Sequence, residues 1–177
     1  MGISRTFQAT RLFARMSVLE NVMIGRHVRT RGGFLAGMAG PAFTGASDRR
    51  EREYCRGLLE ELGLSTLAAK EAHSLPFGRQ RVVEIARALA SEPRLLLLDE
   101  PACGLNAAET EDMAGLISRI RDRGVTVLIV EHDMSLVMGI SDEVLALGAG
   151  KRIAEGTPRE VQADPEVIAV YLGDERA

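Results

Sequence analysis

Two acidic residues, Asp99 and Glu100, directly follow four leucines at Leu95–Leu98. A short apolar run of this kind predicts a buried strand, and α/β sheets bind ligands at the carboxyl ends of such strands. In a phosphoryl-transfer site the first acid would hold Mg²⁺ directly or through water, and the second would orient or deprotonate an attacking water. A core strand that ends in a solvated acidic turn is the alternative, and this stretch alone does not decide between the two.

A second apolar run, Val125–Val130, also ends in polar residues, Glu131, His132 and Asp133. His132 could donate a hydrogen bond to a phosphate or to a water. A lone histidine at such a place is more often structural, so this residue is informative only in combination with others.

A glycine, Gly78, lies in the segment Leu75–Gln80, just before a helix predicted over residues 80–90. A glycine at this point lets the backbone approach an anion where free N–H groups and the positive end of the helix dipole point outward. Taken in isolation, this glycine turn indicates only a loop.

The elements that position these residues alternate along the chain. Continuous apolar strands separated by amphipathic helices predict an α/β fold with a parallel sheet covered on both faces. A capping box at Ser17–Glu20 predicts a helix to about Gly25, and a second box at Asn106–Glu109 predicts another helix. The glycine-rich stretch Arg31–Ser47 predicts an exposed loop, after which Ser47 would cap a helix that runs to Leu62.

The remaining predicted elements lie at the two ends of the chain. Residues 3–8 form a short strand in this interpretation, and Glu143–Leu147 and Lys151–Ala154 form a hairpin. Thr157–Pro158 and Asp164–Pro165 each place a capping residue before a proline, which predicts two short terminal helices.

Composition limits the classes of protein that this chain can belong to. The 177 residues are 46% apolar and 27% charged, and no apolar run is long enough to span a membrane. The amino terminus has no secretory signal pattern, and two distant cysteines fit a reducing cytoplasm. Residues 1–60 carry a net charge of +5 and residues 61–177 one of −8, but scattered arginines and seven aromatic residues without Trp disfavour nucleic-acid binding.

In their order along the chain, these segments resemble the ATP-binding subunit of an ABC transporter. Leu75–Gln80 is similar to the signature motif of that family, and Leu95–Glu100 to its Walker B strand with the catalytic glutamate. Gly104–Asn106 is similar to its D-loop, His132 to its switch histidine, and Arg5–Gln8 to its Q-loop. The resemblance covers nearly the whole chain.

The resemblance implies a fold, two cofactors and roles for individual residues. The fold would be an α/β, P-loop NTPase-like parallel sheet core with a helical signature subdomain. The cofactors would be ATP and Mg²⁺, with Glu100 as general base, Asp99 as the Mg²⁺ carboxylate and His132 as the γ-phosphate sensor. Gln8 would reach Mg²⁺ and the attacking water and couple the site to the membrane partner. The residues that would bind ATP are Leu75, Pro76, Phe77, Gly78, Arg79, Gln80 and Asn106.

Segments at both ends of the chain narrow the resemblance to one group within this family. Gly2–Gln8, Ala154–Pro158 and Val167–Gly173 look like the ATPase of branched-chain amino acid importers, although importers for amides and urea and lipopolysaccharide-export ATPases share much of this pattern. The implied partners are a second ATPase subunit, transmembrane permease subunits and, indirectly, a solute-binding protein, with no nucleic acid. The implied location is peripheral, on the cytoplasmic face of the membrane.

The chain departs from the family pattern in its signature motif and in the P-loop. The signature usually has serine second and glutamine fifth, where this chain has Pro76 and Arg79, so a hydroxyl and an N–H that would contact phosphate are absent. No GxxxxGK[ST] loop occurs, and the only lysines are Lys70 and Lys151. We therefore expect the C-terminal part of a longer subunit, which binds ATP weakly, hydrolyses it negligibly alone and leaves a sheet edge and apolar surface uncovered.

On this interpretation residues 1–177 form a single partial nucleotide-binding domain, truncated at its amino terminus. Its parts would be a helical signature subdomain over about residues 9–90 with an insertion at 31–47, a sheet core at 91–155, and terminal helices at 156–177.

Two other functions are compatible with parts of this pattern. The chain could be a non-catalytic short form that binds and regulates a permease or a full-length ATPase partner. It could also belong to the related ATPases of DNA repair and chromosome machinery, but those usually place a long coiled coil before the signature, and this sequence has no heptads there.

Overall fold

Three parallel strands form the main sheet of the computed structural model, which describes residues 2–6, 11–27 and 41–172, with only the backbone at 41–47 and 172. The strands are β1 (Ile3–Arg5), β2 (Leu95–Asp99) and β3 (Thr126–Val130), in the order β1-β2-β3. Leu96 pairs in register with Val127, and Leu98 with Ile129. The predicted α/β architecture with a parallel sheet is therefore confirmed.

Helices connect and follow these strands. In chain order they are α1 (Val18–Arg26), α2 (Pro41–Glu61), α3 (Phe77–Leu89), α4 (Ala107–Asp122), α5 (Met134–Ile140), α6 (Pro158–Ala163) and α7 (Pro165–Val167). Short 3₁₀ turns lie at Ser65–Leu67 and Ala72–Ser74, and a wide π-type turn follows α7 at Ile168–Leu172.

The two faces of the main sheet have different environments. Leu96 and Leu98 are fully buried, with Val127 and Ile129 beside them, in a core shared with the helices. On the opposite face Leu128 is 56% exposed and Val130 is 59% exposed. The expectation of a sheet covered on both faces is therefore wrong for the part of the chain that the structure describes. Burial on one face makes β3 alternate between exposed and half-buried residues, although its sequence is continuously apolar.

Both predicted capping boxes are present. The Ser17 hydroxyl accepts a hydrogen bond from the Glu20 backbone N–H, and the Glu20 carboxylate accepts one in return from the Ser17 N–H. These hydrogen bonds from Ser17 lower the pKa of Glu20. Asn106 and Glu109 make the same reciprocal pair at the start of α4. Each box satisfies two backbone groups that a helix terminus otherwise leaves without partners.

Two helices begin earlier than the sequence predicts. Helix α2 begins at Pro41, so Ser47 lies inside it and does not cap it. Helix α3 begins at Phe77 and not at residue 80. In both cases a proline at or next to the first helical position has the fixed φ angle that a helix start requires, which the prediction did not weigh.

The carboxyl-terminal part packs around a second, smaller core. Strands β4 (Val144–Gly148) and β5 (Lys151–Gly156) form the predicted hairpin, and Thr157 and Asp164 cap α6 and α7 as predicted. Val144, Ala146, Val161 and Val167 are the buried residues of this core. The predicted helices at the end of the chain are therefore confirmed up to residue 172, and residues 173–177 lie outside the described part.

Helices α1 and α3 meet at a very close contact. A Cβ atom on Gly25 would lie 1.9 Å from the Arg87 carbonyl oxygen, so only glycine allows this approach. One turn before Arg87 in α3, the buried Glu84 carboxylate accepts a hydrogen bond of 2.6 Å from the Arg11 backbone N–H. The Arg81 and Arg87 guanidinium groups lie 3.4 and 3.9 Å from the same carboxylate. These four residues, Arg11, Arg81, Glu84 and Arg87, are called the helix-contact cluster below.

Within the ranges given above, the structure contains no helix that is both long and apolar enough to cross a lipid bilayer.

Candidate functional site

The carboxyl ends of β2 and β3 bring the predicted catalytic residues together. Asp99 is the last residue of β2, and Glu100 follows it with a φ of +45°. The Glu100 backbone N–H donates to the Val130 carbonyl oxygen at 2.9 Å, which continues the strand pairing past the end of β2. A non-glycine residue in this left-handed region costs free energy, and such residues concentrate at functional sites.

Asp99 lies on the open face of the sheet beside β1. Its Oδ2 atom is 3.0 Å from the Arg5 guanidinium, which reaches across from the neighbouring strand. The side chains are partly exposed, at 28% for Asp99 and 56% for Arg5. The carboxylate of the predicted Mg²⁺ ligand is therefore accessible and is already paired with a cation.

His132 stands next to two carboxylates. Its Nδ1 atom is 4.0 Å from Oε1 of Glu100 and 3.7 Å from Oε2 of Glu131. These distances are too long for hydrogen bonds and short enough for attraction to a protonated imidazole. The His132 side chain is 73% exposed, so its ring can reach a ligand at this edge.

Glu131 is a site residue that the sequence analysis did not single out. Its side chain is 1% exposed, and its carboxylate accepts backbone hydrogen bonds from Ala102 and His132 at 2.9 and 3.0 Å. A signal was available, because side chains alternate along a strand and Glu131 continues the half-buried, core-facing series of Val127 and Ile129. We call Asp99, Glu100, Glu131 and His132 the strand-end cluster.

The predicted signature segment lies at the start of α3. Leu75 is buried, Pro76 is the N-cap, and Gly78 is a buried residue in the first helical turn. The prediction that the glycine precedes the helix is therefore wrong. Arg79 is exposed, and the Gln80 side-chain amide donates to the Leu75 carbonyl oxygen at 2.8 Å.

This segment contacts the loop that follows β2. The Phe77 ring, 44% exposed, lies 3.2 Å from where a Cβ of Gly104 would be, and Gly104 has a φ of +79°. A Cβ on Gly78 would lie 2.9 Å from Oε1 of Glu109. The structure therefore brings the signature-like and D-loop-like segments together, although the side chain of Asn106 is engaged in capping α4.

Two predicted features fall on residues that the structure does not describe. Gln8 lies within residues 7–10, and most of the glycine-rich insertion lies within residues 28–40. Their predicted roles stay predictions.

The oxygen ligands at the strand ends fit one kind of metal site. Over the described ranges, no group of three or more His, Cys, Asp and Glu residues could enclose a metal ion. Mg²⁺ does not require such an enclosure, because it usually binds through one or two carboxylates together with waters and substrate phosphates. An accessible carboxylate such as that of Asp99 matches this mode of binding.

Comparisons with known proteins agree with this arrangement. Residues 1–103 match the family described as "ABC transporter", and residues 151–177 match the one described as "Branched-chain amino acid ATP-binding cassette transporter". The high-affinity branched-chain amino acid transport ATP-binding protein BraF of Pseudomonas aeruginosa is 45% identical over 175 residues, which cover 98% of this chain and 68% of BraF. LivG of Salmonella typhimurium, described in the same words, is 43% identical over 177 residues, with 98% and 69% coverage.

A more distant relative is the lipopolysaccharide export system ATP-binding protein LptB of Haemophilus influenzae, which is 34% identical over 174 residues, with 98% of this chain and 66% of LptB covered. Among solved structures, an ATP-binding cassette of an ABC transporter in its ADP conformation superposes with a TM-score of 0.79 and 31% identity, covering 97% of this chain and 68% of that one. A nucleotide-free cassette gives a TM-score of 0.78 at 30% identity, with 96% and 68% coverage. The fold is that of an ATP-binding cassette, and the chain belongs to the ATP-binding protein family of ABC transporters.

Proposed function

We propose that this chain is the ATP-hydrolysing subunit of an ABC importer for branched-chain or related amino acids. The names of BraF and LivG support the substrate class, and both relatives are more than 40% identical to this chain. The match of residues 151–177 to the branched-chain amino acid transporter family supports it independently of the strand-end cluster.

The observation that carries the proposed chemistry is the meeting of Asp99, Glu100 and His132 at one edge of the sheet. In this proposal the Glu100 carboxylate accepts a proton from the attacking water, and His132 donates a hydrogen bond to the γ-phosphate of ATP. Asp99 would hold Mg²⁺, which when bound would neutralise charge that develops on the phosphate oxygens. Arg5, which is paired with Asp99 in this structure, would give up that ion pair to the metal, and Gln8 would contribute a second oxygen.

The signature segment and Asn106 act on a different nucleotide in this proposal. Residues 75–80 and the D-loop-like turn would contact ATP held by a second ATPase subunit, through the start of α3 and the exposed Arg79. The absence of a hydroxyl at Pro76 leaves Gly78, Arg79 and the helix dipole as the groups that attract phosphate. Transmembrane permease subunits would hold the assembled pair at the cytoplasmic face, with a solute-binding protein delivering the amino acid.

The phosphate-binding loop is the part of the ATP site that these 177 residues do not supply. The 177 residues contain no GxxxxGK[ST] sequence, so a P-loop from outside them has to complete the site. We therefore expect the isolated chain to bind ATP weakly and to hydrolyse it negligibly.

The test uses the transporter assembled with a complete ATP site, P-loop included, in proteoliposomes with ATP inside and with labelled leucine and the solute-binding protein outside. Glu100→Gln removes the base but keeps the size of the side chain, and we expect hydrolysis and leucine uptake to fall about a hundredfold or more while ATP stays bound. The matched control is Glu111→Gln on the exposed surface of α4, which should change neither rate.

Persistent uptake by the Glu100→Gln transporter would refute the assignment of the base. The substrate class is tested separately with the unmodified transporter, where unlabelled isoleucine and valine should compete with leucine. Equal competition by amides or urea, or failure of valine to compete, would overturn the amino acid assignment and leave the ATPase assignment intact.

A further inference from the structure

Glu131 is a buried carboxylate whose two oxygens accept hydrogen bonds from two different loops. Oε1 accepts from the Ala102 N–H at 2.9 Å, in the loop after β2. Oε2 accepts from the His132 N–H at 3.0 Å, in the loop after β3, and the Asp133 N–H lies 3.5 Å from it. One side chain therefore links the loop that begins with Glu100 to the loop that carries His132.

Because Glu131 is buried, its carboxylate depends on these hydrogen bonds. The Glu131 side chain is 1% exposed, and a buried carboxylate is stable only when its oxygens receive hydrogen bonds or countercharge. Its two shorter hydrogen bonds come from backbone N–H groups, one in each loop. The position of the carboxylate therefore fixes the positions of both loops.

The link acts close to the strained residue of the site. Glu100 has a φ of +45°, and Ala102 follows only two residues later. The loop is also closed by the Cys103 N–H, which donates to the Glu100 carbonyl oxygen at 3.2 Å, and by the Leu105 N–H, which donates to the Ala102 carbonyl oxygen at 3.1 Å. The hydrogen bond from the Ala102 N–H to Glu131 therefore adds a further constraint on this turn.

We propose that Glu131 is a positioning residue that sets the separation between the Glu100 carboxylate and the His132 imidazole, which is 4.0 Å in this structure. This inference rests on the proposed function of Glu100 and His132. The attacking water has to meet Glu100 while the γ-phosphate that it attacks meets His132, so the separation of the two groups matters, and misplacement by about 1 Å can lower a rate about a hundredfold. Glu131 itself does not touch the reacting atoms in this scheme.

The first measurement is backbone amide hydrogen exchange on the 177-residue chain. In Glu131→Ala both the Ala102 and His132 amides lose their acceptor, and we expect each to exchange about tenfold faster or more. In Glu131→Gln one oxygen is replaced by a donor, so only one of the two amides should accelerate. The exchange rate of the Leu96 amide in β2 should not change in either variant. The control Glu111→Gln should leave the exchange rates of all three amides unchanged. Equal acceleration of every core amide, or no change at Ala102 and His132, would overturn the proposal.

The second measurement is ATP hydrolysis by the assembled transporter. Glu131→Gln should lower kcat about tenfold while KM for ATP stays within about twofold, because positioning affects the reacting geometry more than nucleotide binding. Added to His132→Ala, it should lower the rate little further, since without the imidazole the separation that Glu131 sets no longer matters. Full additivity with His132→Ala, or a change in KM alone, would contradict the proposal.

The two proposals fail in different ways. If Glu100→Gln and His132→Ala leave hydrolysis unchanged, the proposed function is wrong, and the positioning role is overturned with it. If those two variants lose activity but Glu131→Gln does not, only the positioning role is overturned.

Discussion

The strand-end cluster and the helix-contact cluster both contain a buried carboxylate, yet they balance its charge in opposite ways. In the helix-contact cluster one acid, Glu84, faces two guanidinium groups and a backbone N–H. In the strand-end cluster two acids, Glu100 and Glu131, lie beside one histidine, and the third acid, Asp99, is paired with Arg5. Excess negative charge at an accessible edge suits a cation or a general base, whereas charge neutralised in the interior holds helices together.

Exposure follows the same division. Asp99, Glu100 and His132 have side chains that are 28%, 26% and 73% exposed. The Glu84 side chain is 2% exposed and that of Arg81 is 6% exposed. Substitutions in the first cluster should therefore change activity more than stability, and those in the second should do the reverse.

Asp99→Asn should show the largest difference between an effect on activity and an effect on stability. The neutral amide is a weaker Mg²⁺ ligand, so hydrolysis by the assembled transporter should fall by roughly a hundredfold, or about 3 kcal/mol of transition-state stabilisation. The free energy of unfolding should change by less than about 1 kcal/mol, because the lost ion pair with Arg5 is partly exposed. The measurements are ATPase rate against Mg²⁺ concentration and urea unfolding. Strong destabilisation would place Asp99 with the structural residues.

The converse substitution is Glu84→Ala. It leaves buried guanidinium groups without their carboxylate, and we expect the free energy of unfolding to fall by about 3 to 5 kcal/mol. Urea unfolding of the isolated chain measures this, with Glu111→Gln as a surface control within about 0.5 kcal/mol of the unmodified chain. A loss below about 1 kcal/mol would show that the helix-contact cluster is not structural.

A smaller effect should distinguish the two helix caps, Ser17 and Asn106, which both form capping boxes. Ser17→Ala and Asn106→Ala each remove one capping side chain, and each should lower the free energy of unfolding by about 1 kcal/mol. Asn106 also lies in the D-loop-like segment, so only its substitution should weaken ATP binding by the assembled transporter. Equal, unchanged affinities in both variants would reduce Asn106 to a structural cap.

The smallest effect concerns the two thiols. Burial raises the pKa of Cys55 to about 11 from an ordinary value of 9.0, whereas Cys103 in the loop after β2 is exposed. At pH 8 iodoacetamide should therefore modify Cys103 and spare Cys55, giving a single adduct by mass spectrometry. Because the folded chain keeps the Cys55 proton and the unfolded chain releases it, stability should decline as the pH rises between about 9 and 11. Two adducts at pH 8 would contradict the expected protection of Cys55.

The sequence was sufficient for elements whose local signals agree with the final structure. The capping boxes at Ser17 and Asn106 and the prolines at 158 and 165 mark helix starts by local hydrogen bonding and backbone geometry, and all four starts are confirmed. The apolar runs before Asp99 and Glu131 likewise mark strands, because short, uninterrupted apolar runs bounded by polar or turn residues are typical of strands in a parallel sheet.

Of the remaining features, one has a local cause and two depend on contacts between distant parts of the chain. Ser47 looks like a cap because of its residue type, but the helix is already under way from Pro41. The role of Glu131 depends on Ala102, which is 29 residues away in the sequence. The pairing of Arg5 with Asp99 depends on the register of β1 against β2, which no local pattern specifies.

The contact at Gly25 has a mechanical consequence. Because the backbone of α1 rests on the carbonyl of Arg87 without any intervening side chain, any residue larger than glycine at position 25 would have to separate α1 from α3. Direct backbone contact therefore sets the spacing of these two helices at this point.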